Sequence, residues 1–125
     1  MAAAGPLGPL GAARLFTFAF ERSVAFYRDR LGLALQSRDQ GVAVFDTGAC
    51  RLILEAADPD DPEERALVGR FAGLSFTVCD LSASYEALTG RGVAFLGPPE
   101  QQDWGGKLTH FTDPDGNVLS LVEYP

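Results

Sequence analysis

Asp103-Trp104-Gly105-Gly106-Lys107-Leu108-Thr109-His110-Phe111-Thr112-Asp113-Pro114-Asp115-Gly116-Asn117-Val118-Leu119-Ser120-Leu121-Val122-Glu123 decides the fold of this chain: two strand-like runs are joined by a turn whose chemistry is plain in its residues. Pro114 fixes φ at the first turn position, and Asp113 and Asp115 are able to bond nearby backbone. Gly116 supplies a positive φ that other residues reach only with strain. A β-hairpin follows. Its turn chemistry accounts for both aspartates, which are therefore not read as an acidic pair poised for catalysis.

Working outward, the chain echoes itself. Leu15-Phe16-Thr17-Phe18 and Leu74-Ser75-Phe76-Thr77-Val78 share a Phe-Thr-apolar core, and Phe16 and Phe76 lie 60 residues apart, as do Gly32 and Gly92. Each half reads as strand, helix, strand, then hairpin. The first helix is expected over about Ser23 to Leu31, where Val24, Tyr27 and Leu31 form an apolar stripe and Gly32 terminates it. In the second half Asp80 is the N-cap, and Leu81, Tyr85 and Leu88 form the stripe. Ala57-Asp58-Pro59-Asp60-Asp61-Pro62-Glu63-Glu64-Arg65 is acidic and proline-punctuated, as a solvated linker would be. The expected organisation is a tail at residues 1–11 and one domain at 12–125. Its repeats span about 12–56 and 73–124, joined by a linker at 57–72.

Period-two alternation assigns strand faces. Phe16, Phe18 and Phe20, with Leu52, Leu54, Leu74, Phe76, Val78, Leu119 and Leu121, are expected beneath the helices. The opposite side then carries Ala13, Leu15, Thr17, Arg51, Ile53, Glu55, Gly73, Ser75, Thr77, Val118, Ser120 and Val122. A mixed polar and apolar face of this kind suits a small-molecule cleft.

Composition bounds the function. At 125 residues and 46% hydrophobic content the chain can bury one core. Net charge −7, from 10 basic and 17 acidic residues, disfavours nucleic acid and anionic membrane surfaces. No apolar run approaches the roughly 20 residues of a membrane helix. The first residues lack a basic region and are broken by Gly5, Pro6, Gly8, Pro9 and Gly11, so they read as a flexible tail on a cytoplasmic protein. Cys50 and Cys79, without a secretory signal, are expected to be reduced.

With Glu21-Arg22-Ser23-Val24-Ala25-Phe26-Tyr27-Arg28-Asp29-Arg30-Leu31-Gly32-Leu33 upstream of the Asp-Pro-Asp-Gly-Asn hairpin, the chain resembles the glyoxalase / bleomycin-resistance / dioxygenase (vicinal oxygen chelate) superfamily over about Ala12 to Glu123. The resemblance implies an α+β fold of tandem βαβββ modules forming a curled, barrel-like mixed sheet with helices outside. It also implies a homodimer and a ligand cleft on the concave side. It does not select a reaction, because the superfamily includes isomerases, dioxygenases, thiol transferases and metal-free drug-binding proteins. Metal-dependent members resemble one another in four ligands. Carried over by motif, these fall at Ala12 or Ala13, near Ile53, at Gly73 and at Ser120, none a usual metal ligand. No metal cofactor is therefore expected, although Glu55 and His110 could form an improvised site.

Seven residues are candidates for the ligand site. His110, the only histidine, is the general acid/base candidate; simple packing on a sheet is the competing reading. Arg51 and Glu55, on one strand face, either bracket a polar ligand or form a rim pair. Trp104, before Gly105-Gly106, either stacks on an aromatic ligand or packs against the rim or a second subunit. Ser75, Thr77 and Ser120 present hydroxyls, with no adjacent base to make them nucleophiles.

The leading functional expectation is a metal-free module that sequesters a small aromatic molecule. The alternative is a lyase, isomerase or dioxygenase-type enzyme using His110 or a non-standard metal site. A structural or regulatory protein is a third reading. Net acidity speaks against glutathione conjugates and phosphonates, unless Arg14, Arg51 and Lys107 create a local basic pocket.

Overall fold

The structure is a computed structural model describing residues 5–125; the first four residues of the expected tail lie outside it. The first module runs β1 (Ala12–Thr17), α1 (Phe20–Ala25), a π-helical turn (Phe26–Arg30), β2 (Ala34–Asp39), β3 (Val42–Asp46) and β4 (Arg51–Ala56). A connecting helix, α2 (Pro62–Arg65), leads to β5 (Phe71–Thr77), α3 (Leu81–Gly90), β6 (Ala94–Phe95), β7 (Glu100–Gln101), β8 (Lys107–Thr112) and β9 (Val118–Glu123). The α+β class and its tandem modules are as the hairpin and the repeat imply. The strands group into two mixed sheets, one ordered β1-β4-β3-β2 and the other β5-β9-β8-β6, with β7 also paired to β8. In each, the first and last strands of the module run parallel and the remaining pairs antiparallel.

Local chemistry explains the helices. α1 begins at Phe20, three residues earlier than the stripe indicates. The chain then widens into a π turn, in which the Leu31 amide donates to the Phe26 carbonyl. The wider turn rotates two adjacent side chains inward, so Phe26 and Tyr27 are both buried, where a uniform α-helical stripe selects Tyr27 alone. Gly32, at φ +75°, lets the chain leave the helix. α3 is capped as its sequence indicates: Asp80 accepts from the Ala83 amide at 3.1 Å. Glu123 at the end of β9 accepts from the Leu81 amide at 2.8 Å, fastening the helix to its sheet. The acidic connection is not all coil, since Asp61 caps α2 by accepting from Glu63. β5 starts at Phe71, two residues before the second repeat was expected to begin.

One face assignment is reversed. In β1 it is Leu15 and Thr17 that are buried, while Phe18 is 43% exposed. The parallel register pairs Ala13 with Leu52 and Leu15 with Leu54, placing them on the core side. Arg14 and Phe16 therefore share the opposite side with Ile53 and Glu55. Burying Thr17 is tolerated because its hydroxyl is bonded: it donates to Asp115 Oδ2 at 2.5 Å and accepts from the Ala19 amide at 3.0 Å. In β5 and the residue that follows it, by contrast, Leu74, Phe76 and Val78 do pack against the core.

The Asp-Pro-Asp-Gly-Asn turn does more than close a hairpin. Asp115 accepts from Thr17 Oγ1, Ser23 Oγ and the Phe18 amide, all in the first module. Buried Asp113 accepts from the Tyr27 hydroxyl at 2.6 Å, from Asn117 Nδ2, and from the Asp115 and Asn117 amides. Asn117 donates to the Phe16 carbonyl and accepts from the Gly69 amide. Burial first, then the charge and hydrogen bond of Asp113 and the charge of Asp115, hold the Tyr27 phenol far above its ordinary titration range. The turn thus clamps the two modules together and sets the relation of their sheets.

Candidate functional site

Each sheet turns one face to the helices and leaves the other without helical cover. On the first sheet the uncovered face carries the rows Ala12–Arg51–Asp46, Arg14–Ile53–Val44 and Phe16–Glu55–Val42. Glu55 is engaged by Arg14, whose Nε lies 2.5 Å from Oε2, and the Arg14 guanidinium also sits 5.5 Å from the Phe16 ring centroid. Bonding to Glu55 and its charge raise the Arg14 pKa. The pair is partly exposed, so it orients side chains more than it stabilises the fold.

On the second sheet, Ser75, Ser120 and His110 stand side by side across β5, β9 and β8. His110 Nδ1 lies 2.6 Å from Ser120 Oγ, and its ring meets Phe71 edge-on at 5.9 Å between centroids. A two-residue irregularity in β5 between Phe71 and Ser75 makes this possible. Gly73 adopts φ +71° there and lies alongside the Phe71 ring. Ser120 is buried, and His110 is half-buried where it lines a small pocket of about 130 Å³ beneath the segment from Leu96 to Gln102. An imidazole so placed has two tautomeric options. With Nδ1 accepting from Ser120, Nε2 carries the proton as a donor; with Nδ1–H donating to Ser120, Nε2 is a free base.

The seven candidate residues fall into separate groups. Arg51 and Ser75 line one crevice of about 280 Å³ between the modules, together with Ala13, Cys50, Gly73 and Phe76. Ser75, Ser120 and His110 form the row just described, and Glu55 belongs with Arg14. Thr77 is in register with Val122 and borders a cleft on the helix side. Trp104 stands apart: half-exposed, it packs on Tyr124 at 5.6 Å and over Gly106. Phe71 is the residue that sequence alone missed, because it lies in what reads as linker. Arg14, expected only as part of a basic pocket with Arg51 and Lys107, is instead paired with Glu55.

The positions implied as metal ligands present methyl, sec-butyl, hydrogen and hydroxymethyl groups, at Ala12 or Ala13, Ile53, Gly73 and Ser120. Ser120 is already bonded to His110, and Glu55 to Arg14. Among the described residues no group of three or more His, Cys, Asp or Glu side chains is placed to hold an ion. This donor set does not fit a four-ligand divalent metal. Among the described residues no helix is long and apolar enough to cross a membrane.

Comparison with known proteins agrees with the fold. Residues 10–121 match the family model for the Glyoxalase/Bleomycin resistance protein/Dioxygenase superfamily. The uncharacterized protein YraH of Bacillus subtilis is 30% identical over 120 residues, spanning 88% of this chain and 94% of its own. A bleomycin resistance protein of Klebsiella pneumoniae is 29% identical over 111 residues, 83% of each chain. A crystal structure of a superfamily member from Sphaerobacter thermophilus superposes with a TM-score of 0.81 at 29% identity, covering 94% of this chain and 98% of its own.

Proposed function

The chain belongs to the Glyoxalase/Bleomycin resistance protein/Dioxygenase superfamily, and on that premise we propose that it binds a small aromatic molecule on its uncovered sheet faces without using a metal. The observation that supports this reading is the chemistry of those faces. They carry aromatic and aliphatic surface from Phe16, Ile53, Phe71 and Val118, together with the cationic Arg51 and the His110–Ser120 pair. At the family's ligand positions the side chains are too poor in donors to retain an ion. Flat rings gain from stacking against Phe71 and Phe16, while Arg51, Ser75 and His110 supply the few directional contacts that fix orientation. The similarity to a bleomycin resistance protein makes bleomycin a natural first probe. We further propose that the protein acts in the cytoplasm, with Cys50 and Cys79 unpaired. A homodimer would bring a second copy against the uncovered faces.

The test is calorimetric titration of the metal-stripped protein with bleomycin and a panel of aromatic compounds. Nickel, zinc, manganese and anaerobic iron(II) are titrated separately. Saturable binding of an aromatic compound, weakened at least ten-fold by His110→Ala or Arg51→Ala, supports the reading. Tight binding of about one ion per chain, lost in His110→Ala, overturns it. The hydrogen-bonded His110–Ser120 pair motivates a second reading, in which His110 moves a proton in a lyase or isomerase reaction. That reading requires turnover lost in His110→Ala with binding retained.

A further inference from the structure

We propose that a second ligand site lies on the helix side of the molecule, in the cleft beneath α3, and that it takes a small apolar carboxylate. The cleft holds about 340 Å³, within the range of roughly 300–1,000 Å³ typical of ligand pockets, and lies apart from the His110–Ser120 pair. Its walls come from both modules: Leu31 and Leu33 after the π turn, Phe76 on β5, Leu88 on α3 and Phe111 on β8. The gap arises because α3 fully buries only Leu81. Leu31, Leu33, Phe76 and Leu88 remain half-buried around the space they share.

Among the lining residues Arg91 alone carries a charge. Its Nη1 donates to the Arg30 carbonyl at 3.2 Å and sits beside Gly32. Among the described residues it has no carboxylate partner within ion-pair distance, although the chain carries 17 acidic residues. One of its five N–H donors is thus used and the rest are free to form the two-pronged contact that guanidinium makes with carboxylate. Arg30 reinforces the anchor. Its Nη1 donates back to the Arg91 and Gly92 carbonyls, holding a second cation at the same corner. An apolar cleft with one guanidinium at its edge selects a ligand with an apolar body and one carboxylate.

The inference is independent of the uncovered-face reading, and its test separates the two. Phenylacetate, cinnamate and octanoate are titrated into the full chain by calorimetry, each beside its neutral amide. At least one acid is expected to bind saturably, with its amide at least ten-fold weaker. Arg91→Met, which keeps the apolar stem, should abolish the preference for the acid. Ala87→Phe, at an exposed position bordering the cleft, should block binding by filling it. Arg51→Ala, on the other face, should leave the binding of the non-aromatic octanoate unchanged. Failure of all three acids to bind, binding unaltered in both Arg91→Met and Ala87→Phe, or octanoate binding lost in Arg51→Ala would each overturn the proposal.

Discussion

Replacing Asp113 with alanine tests whether the hairpin turn holds the two modules together. The Asp113 carboxylate accepts four hydrogen bonds, from the Tyr27 hydroxyl at 2.6 Å, Asn117 Nδ2 at 2.9 Å, and the amides of Asp115 and Asn117, each at 2.9 Å. Hydrogen bonds to a charged group contribute about 1.5–3 kcal/mol each, but those sharing one acceptor do not add. The turn amides of Asp115 can regain water. The Tyr27 hydroxyl cannot, because Tyr27 is 0% exposed, and an orphaned buried hydroxyl costs about 1–3 kcal/mol. Together these give an expected loss of about 3–5 kcal/mol for Asp113→Ala, a large share of a typical domain's stability. Tyr27→Phe, which removes only the donor, should cost about 1–2 kcal/mol. Urea unfolding of wild type, both single variants and the double variant measures the coupling directly. The double variant should be more stable than the sum of the single losses implies, by at least about 1 kcal/mol. Additive effects, or a loss below about 1 kcal/mol for Asp113→Ala, would refute the idea that this pair couples the modules.

Two further outcomes follow from the same geometry. Because the native pKa of Tyr27 is raised above its ordinary value of 10.0, the folded state keeps a proton that the unfolded chain releases. The stability this provides is complete below about pH 10 and falls by about 1.4 kcal/mol per pH unit above it. Urea midpoints measured from pH 8 to pH 11 should therefore show a steeper alkaline decline in wild type than in Tyr27→Phe, and parallel curves would contradict it. Gly106→Ala should displace the Trp104 ring, since a β-carbon there would collide with that ring and with the Glu123 carbonyl. The expected cost is about 1–3 kcal/mol, and the emission of the single tryptophan should shift to the red. An unchanged spectrum would mean that Trp104 does not pack over this glycine.

The parts legible in the sequence were those whose cause is local. Pro114 and Gly116 dictate a turn by their own backbone preferences, Asp80 caps the helix that follows it, and Gly32 and Gly92, both at positive φ, mark the ends of equivalent helical segments 60 residues apart. These features point to the fold class without reference to any distant contact. The faces of β1 depended on distant residues instead. Alternation alone places its phenylalanines inside, and burial of Thr17 becomes affordable only once Asp115, 98 residues away, supplies an acceptor. The candidate site divides the same way. Residue type and strand period made His110, Ser120, Ser75 and Arg51 visible as candidates. Their grouping depended on strand register and on the irregularity at Gly73 that brings Phe71 beside His110. The pairing of Arg14 with Glu55 and the packing of Trp104 on Tyr124 likewise join residues remote in sequence. Backbone conformation is set by the nearest few residues, whereas burial, charge pairing and pocket shape are set by whichever segments the folded chain brings within contact distance.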